Sequence, residues 1–135
     1  MFDLDRMLSF DSNTGPYLQY AHARIRSIFR RAGIDASSVA GVTPILAAPQ
    51  ERALAASLLG FDGAVHAVVD GYQPHKLCGY LFDLASAFTS FYEACPVLKA
   101  DDEATKQSRL ALCDLTARTL AQGLGLLGIE APDQM

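Results

Sequence analysis

The chain has 135 residues, half of them apolar and 19% charged, which suffices for one hydrophobic core and is too apolar for a disordered segment. Its formal net charge is −4, with 11 basic against 15 acidic residues, and that balance argues against a non-specific nucleic-acid binder. A contact confined to one basic patch is compatible with the total, so the local distribution of charge matters more.

The periodicity is helical almost throughout. Residues 1–12 carry Phe2, Leu4, Met7, Leu8 and Phe10 and precede the first helix signal. Asn13-Thr14-Gly15-Pro16 places a polar cap before a proline in the first turn, where its missing N–H costs nothing. The helix should run to about Ala32 and stop at Gly33, turning Leu18, Ala21, Ile25, Ile28, Phe29 and Ala32 inward. Residues 34–48, rich in Ser, Gly and Pro, read as a loop. A second helix is expected from Pro49 to Gly60, and a third from Asp62 to Asp70 with Val65, Val68 and Val69 facing in.

Gly71-Tyr72-Gln73-Pro74 is a break. The fourth helix has the cleanest pattern: Leu77, Tyr80, Leu81, Leu84, Phe88, Phe91, Tyr92 and Cys95 recur every three or four residues until Pro96 ends it. Tyr92 is the member of this aromatic group expected to reach the surface. Asp101, Asp102 and Glu103 suit a fifth helix's N-terminus, where the macrodipole favours carboxylates. That helix should bury Leu110, Cys113, Ala117, Leu120 and Leu124 and end near Gly125 or Gly128, leaving a tail from Ile129 to Met135. With no alternating strand pattern, the expectation is a single all-α domain, a bundle of about five helices over residues 1–135.

Catalytic chemistry has no visible site. There is no GxxxxGK[ST] or GxGxxG loop, no GxSxG elbow, and His22, His66 and His75 fall on three different segments without ligand spacing. Cys78, Cys95 and Cys113 are too scattered for zinc or a disulfide framework and read as buried thiols of a reducing compartment. No uninterrupted apolar run reaches the roughly 20 residues of a membrane span. The N-terminus has acids where a secretory signal has its basic region. A soluble, cytoplasmic chain without metal or cofactor is expected, with neither DNA nor a membrane as partner.

One constellation carries recognition chemistry. Projected at about 100° per residue, Tyr17, Tyr20, Arg24 and Arg31 share a strip roughly 60° wide beside the apolar face of the first helix. Arg26 and Arg30 lie on the far side with Gln19. Phenol rings offer a face for an unstacked base, and guanidinium groups offer a fork for phosphate or base edges. The same strip can equally be a solvated flank, with tyrosines packing their rings at the core margin and sending hydroxyls to water. His22 projects away from it and reads as structural or surface.

The residues from Asn13 to Ile25, Asn-Thr-Gly-Pro-Tyr-Leu-Gln-Tyr-Ala-His-Ala-Arg-Ile, closely resemble the opening of the C-terminal, DALR-type anticodon-binding domain of arginyl-tRNA synthetases. The resemblance continues through Pro74-His75-Lys76-Leu77, Tyr80-Leu81, Ala87 to Glu93, Cys95 to Leu98 and Arg109 to Leu112. It closes with Gly123 to Pro132 and the terminal Met135, so it covers nearly the whole chain in one order. It implies an all-helical bundle that grips the anticodon loop of arginine tRNA. Residues 1–12 would then join the domain to the catalytic domain, a second partner.

The family's enzymes are class I ligases that use ATP and Mg, with His-x-Gly-His-like and Lys-Met-Ser-Lys-Ser-like signatures. Neither signature occurs here, so this chain alone is not expected to be an enzyme. Carried over residue by residue, the resemblance assigns RNA contacts to Tyr17, Tyr20, Arg24, Arg30 or Arg31, Tyr92 and Met135. Thr89 stands where many relatives have Asn. The alternative is a free-standing synthetase-like module for protein interaction or dimerisation that does not bind tRNA.

Overall fold

Helix ends fall where the punctuation residues stand. The computed structural model describes residues 15–71 and 74–134. Among them are five α-helices: α1 (Gly15–Ala32), α2 (Pro49–Leu59), α3 (Phe61–Gly71), α4 (Pro74–Ala94) and α5 (Glu103–Leu126). One 3-10 turn, Ala36–Val39, lies between α1 and α2, and no strand occurs among the described residues. The all-α expectation is met. The readings placed on residues 1–12, on Asn13 and Thr14, and on Met135 lie outside the described residues.

Gly33 and Gly128 adopt φ of 67° and 76°, the left-handed conformation that closes α1 and α5. In both closures the next amide reaches back, Ile34 N–H to the Phe29 carbonyl at 3.1 Å and Ile129 N–H to the Leu124 carbonyl at 2.8 Å. At the other end of α5 the Asp102 carboxylate accepts the Thr105 amide at 2.7 Å. That bond holds the Asp102 carboxyl below the usual aspartate range, so the acidic run is a helix cap.

Helix α4 is the central element, in contact with α1, α2, α3 and α5. It buries Leu77, Leu81, Leu84, Ala85, Phe88 and Phe91, while α5 buries all five of the residues expected to face inward. The two helices meet tightly at Gly123, where a Cβ would stand 2.6 Å from Leu81 Cδ2. Burial pushes the Cys113 thiol pKa up, and Cys95 is likewise a buried thiol with a raised pKa.

Three details depart from the sequence expectation. The span 34–48 is more than a loop: Asp35 accepts the Ser37 amide at 3.0 Å, starting the 3-10 turn, and Val39 joins the core. In α3, Phe61, Ala64 and Val68 form the inward stripe and Val65 is half-buried, but Val69 is 67% exposed. Val69 follows Val68 by about 100° of helix rotation, so both cannot face α4. The third departure is buried polarity on α2 and α5. Glu51, 1% exposed, accepts the Ala48 amide at 2.8 Å and the Arg109 Nε at 3.2 Å. Arg109 also donates to the Pro96 carbonyl at 2.7 Å, tying α2, α5 and the α4–α5 turn together.

Taken as one stretch of 23 residues, Pro49–Gly71 is apolar and long enough to cross a membrane by length and composition, and most of it is exposed. We assign no span to it. The turn at Gly60 divides it into two helices, Leu54 is in the core, and Tyr80 of α4 donates its hydroxyl to the Ser57 carbonyl at 2.7 Å.

Tyr80 gives a pH signature. Burial pushes its phenol up to about 12, above the unfolded value near 10, so folding favours the neutral form. Its contribution is fully present below about pH 10 and is lost as pH rises towards 12. Tyr80→Phe is expected to cost about 1 kcal/mol at pH 7 in urea unfolding. The gap from the parent chain should narrow between about pH 10 and pH 12.

Candidate nucleic-acid interface

The buried stripe Leu18, Ile25, Ile28 and Phe29 fixes the rotation of α1 and so decides what its other faces present. Tyr17 and Tyr20 stand out at 37% and 51% exposure, with Arg24 exposed beside them. The Arg24 guanidinium carbon lies 5.8 Å from the centre of the Tyr20 ring, within cation–π range. Tyr17 leans on Phe82 of α4, ring centres 5.4 Å apart and planes tilted by 44°.

A groove runs between α1 and α4. Tyr17, Tyr20, Ala21 and Arg24 line one wall, and Phe88, Thr89, Tyr92 and Glu93 the other. Tyr92 is stacked on the buried Phe88, 5.8 Å apart with planes 17° from parallel, so its ring is held by the core. The Thr89 hydroxyl donates back to the Ala85 carbonyl at 3.0 Å and is occupied within its own helix. The groove combines aromatic faces with one guanidinium, and Glu93 at its wall disfavours phosphate there.

A second groove lies on the other flank of the Tyr20–Arg24 pair, lined by Ala23, Ser27, Arg30 and Gln134 besides those two. It is the more basic of the two. Arg30 reaches it from the far side of α1 and donates to the Asp133 carbonyl at 2.9 Å. The structure therefore brings Tyr17, Tyr20, Arg24 and Tyr92 to one groove and Arg30 to the adjoining one. Arg31 is exposed near the end of α1 and lines neither.

The remaining polar face of α1 is structural. Arg26 pairs with the buried Asp114 carboxylate at 3.0 Å, and Arg118 holds the other oxygen at 3.0 Å. His22 is buried with its Nδ1 3.0 Å from the Pro132 carbonyl, and Gln19 donates to the Glu130 carbonyl at 2.8 Å. Among the described residues no group of His, Cys, Asp and Glu could hold a metal ion.

Sequence reasoning missed Phe82 and, in the tail, Gln134. Phe82 had a signal: it sits one residue, about 100°, off the α4 stripe, so an aromatic there had to face out. Gln134 had none, because its place beside α1 depends on contacts more than 100 residues apart in sequence.

Comparison with known proteins bears on the family and the fold. The family model described as the DALR anticodon binding domain matches residues 18–135. The chain is 59% identical over its whole length to an arginine–tRNA ligase of Thermobifida fusca, covering 23% of that protein, and 60% identical to one of Frankia casuarinae, covering 22%. Among solved structures, the Thermus thermophilus arginyl-tRNA synthetase superposes with a TM-score of 0.79 at 45% identity, over 95% of this chain and 22% of that one. The chain thus spans about a quarter of the length of the curated relatives it matches.

Arg26 separates packing from recognition. Arg26→Ala leaves Asp114 with Arg118 as its ion-pair partner, and loss of the charged hydrogen bond is expected to cost about 1.5–3 kcal/mol in urea unfolding. RNA affinity at temperatures where the variant is folded should stay within about twofold of the parent, since a rim charge off the ridge contributes little.

Proposed function

The chain belongs to the DALR anticodon-binding domain family, and we propose that it binds the anticodon loop of arginine tRNA as the C-terminal part of an arginyl-tRNA synthetase. The observation that carries this reading is the exposed Tyr20 ring with Arg24 over it, beside a groove walled by Tyr17 and Tyr92. A splayed loop base can stack on a phenol ring whatever its edge, and a guanidinium beside that ring extends the stacking surface. Two stacked bases supply about 2–6 kcal/mol. Few phosphates are engaged, so affinity of this chain alone is modest and its salt dependence shallow.

In this reading the catalytic domain, with its ATP and Mg, lies in the rest of the synthetase, and residues 1–12 form the join to it. This chain supplies recognition and no ligase chemistry. Arg31 is assigned to the loop by its place on the helical strip and by resemblance, and Met135 by resemblance alone. A second reading, a docking or dimerising module, has its own observation. Leu59 is 85% exposed and Val69 67%, on helices that line neither groove.

Titration with arginine tRNA, against a copy altered only in the anticodon loop, should show preference for the intact molecule. Tyr20→Ala and Arg24→Ala should each weaken binding by about five- to 150-fold, the equivalent of one stacked base, with circular dichroism and melting unchanged. Native variants that bind as tightly as the parent would falsify the ridge. A concentration-dependent dimer without a tRNA shift would favour the docking reading.

A further inference from the structure

The tail after α5 is held to α1 in an unusual way. Ile129 passes over the start of α1, its Cδ1 3.7 Å from where a Cβ on the buried Gly15 would stand. From there three α1 side chains grip three of its backbone carbonyls: Gln19 that of Glu130 at 2.8 Å, His22 that of Pro132 at 3.0 Å, and Arg30 that of Asp133 at 2.9 Å. A carbonyl only accepts, so the His22 Nδ1 carries the proton. No tail side chain takes part in these bonds. They set where the backbone lies, and Gln134, the last described residue, becomes a wall of the second groove beside Tyr20 and Arg24.

We propose that Gln19 and His22 are positioning residues that hold the tail as a strap, and that the strap completes the second groove as a seat for the phosphodiester of the nucleotide stacked on Tyr20. This rests on the RNA-binding reading above. The groove's chemistry fits an anion: Arg24 and Arg30 both line it, and the Arg30 bond to the Asp133 carbonyl engages one of its five N–H groups. Without the strap Arg30 loses the carbonyl that orients it, and the groove opens on the side of Gln134. Gln19 and His22 themselves touch the tail and need not touch RNA.

The test uses the 135-residue chain with Gln19→Leu, His22→Leu and His22→Asn, each also in a chain lacking residues 130–135. Asparagine places an amide N–H where the His22 Nδ1–H stood and should behave as the parent. Each leucine variant should lower the backbone order parameters of residues 130–133 and weaken arginine tRNA binding about three- to tenfold, one lost hydrogen bond's worth. In the shortened chain neither substitution should add to the weakening. The salt slope of log Kd should flatten by about 0.7 in Gln19→Leu and in the shortened chain, as expected for one single-strand phosphate.

A loosened tail with unchanged tRNA affinity would overturn the proposal, making the strap purely structural. So would a loss of affinity that persists undiminished in the shortened chain. An unchanged salt slope would remove the phosphate seat. If His22→Leu does not fold, Gln19→Leu, at a half-buried position, carries the test. Tyr20→Ala in the same titration separates the two levels. Weak binding by Tyr20→Ala with parental binding by Gln19→Leu sinks the strap alone, whereas parental binding by Tyr20→Ala sinks the RNA reading and the strap with it.

Discussion

The rotation of α1 about its own axis is the constraint on which the rest of the surface depends. Leu18, Ile25, Ile28 and Phe29 are seated in the core, and with them fixed every other position on the helix has only one place to face. A slip of one residue turns a helix by about 100°. It would bury Tyr17 or Gln19 in place of Leu18 and carry Arg26 away from Asp114. The buried stripe therefore sorts a helix with four arginines into three sectors. Tyr17, Tyr20 and Arg24 face the groove towards α4. Gln19, His22 and Arg30 face the tail, and Arg26 faces α5.

That rotation is held by a stiff support. Helix α4 touches every other helix, and its contact with α5 at Gly123 is too close to admit even a methyl group without moving the fully buried Leu81. The Glu51–Arg109 pair, fully supplied with hydrogen bonds, adds a directional tie where apolar contacts alone would allow sliding. Phe88 then serves two purposes on one helix: it packs on Phe91 in the core and carries Tyr92 on its outer face. The groove wall is an extension of the core, so its aromatic faces are ordered before any ligand arrives, which lowers the ordering cost of binding.

How much of this was legible in the sequence follows from range. Helix limits were legible because capping and left-handed glycine closure are local: Pro49, Pro74, Gly33 and Gly128 each stand where a helix begins or turns back. The inward stripes of α1, α4 and α5 were legible because each has two or more neighbours and a wide apolar face. Helix α3 was not, since a short outer helix buries only a narrow stripe and Val69 falls outside it. Polar residues inside the fold gave no local sign. Glu51, Ser108 and Asp114 look like surface residues until Arg109, the Ile45 amide and Arg26 reach them from distant segments. The Tyr17, Tyr20 and Arg24 ridge was visible as a helical strip. Of its opposite wall only Tyr92 was named, by resemblance; the roles of Phe88, Thr89, Glu93 and Gln134 beside it were not, because no spacing rule joins α1 to residues 88–93 or to Gln134.

A net charge of −4 is no obstacle to the proposed role, and it shapes how that role is carried out. A basic protein can hold RNA through many phosphates with little geometric demand, and it then binds many RNAs. Here Glu93 stands at one groove, and Glu130 and Asp133 are exposed along the tail, so long-range attraction is weak. Recognition then has to come from contacts that work only at short range: ring faces, a guanidinium beside a ring, and one or two oriented cations. Such contacts require bases already turned out of a helical stack, which is the condition of a single-stranded loop and not of a duplex. In the proposed role, an acidic domain with a fixed aromatic ridge would select by the shape of the loop first and by its charge second.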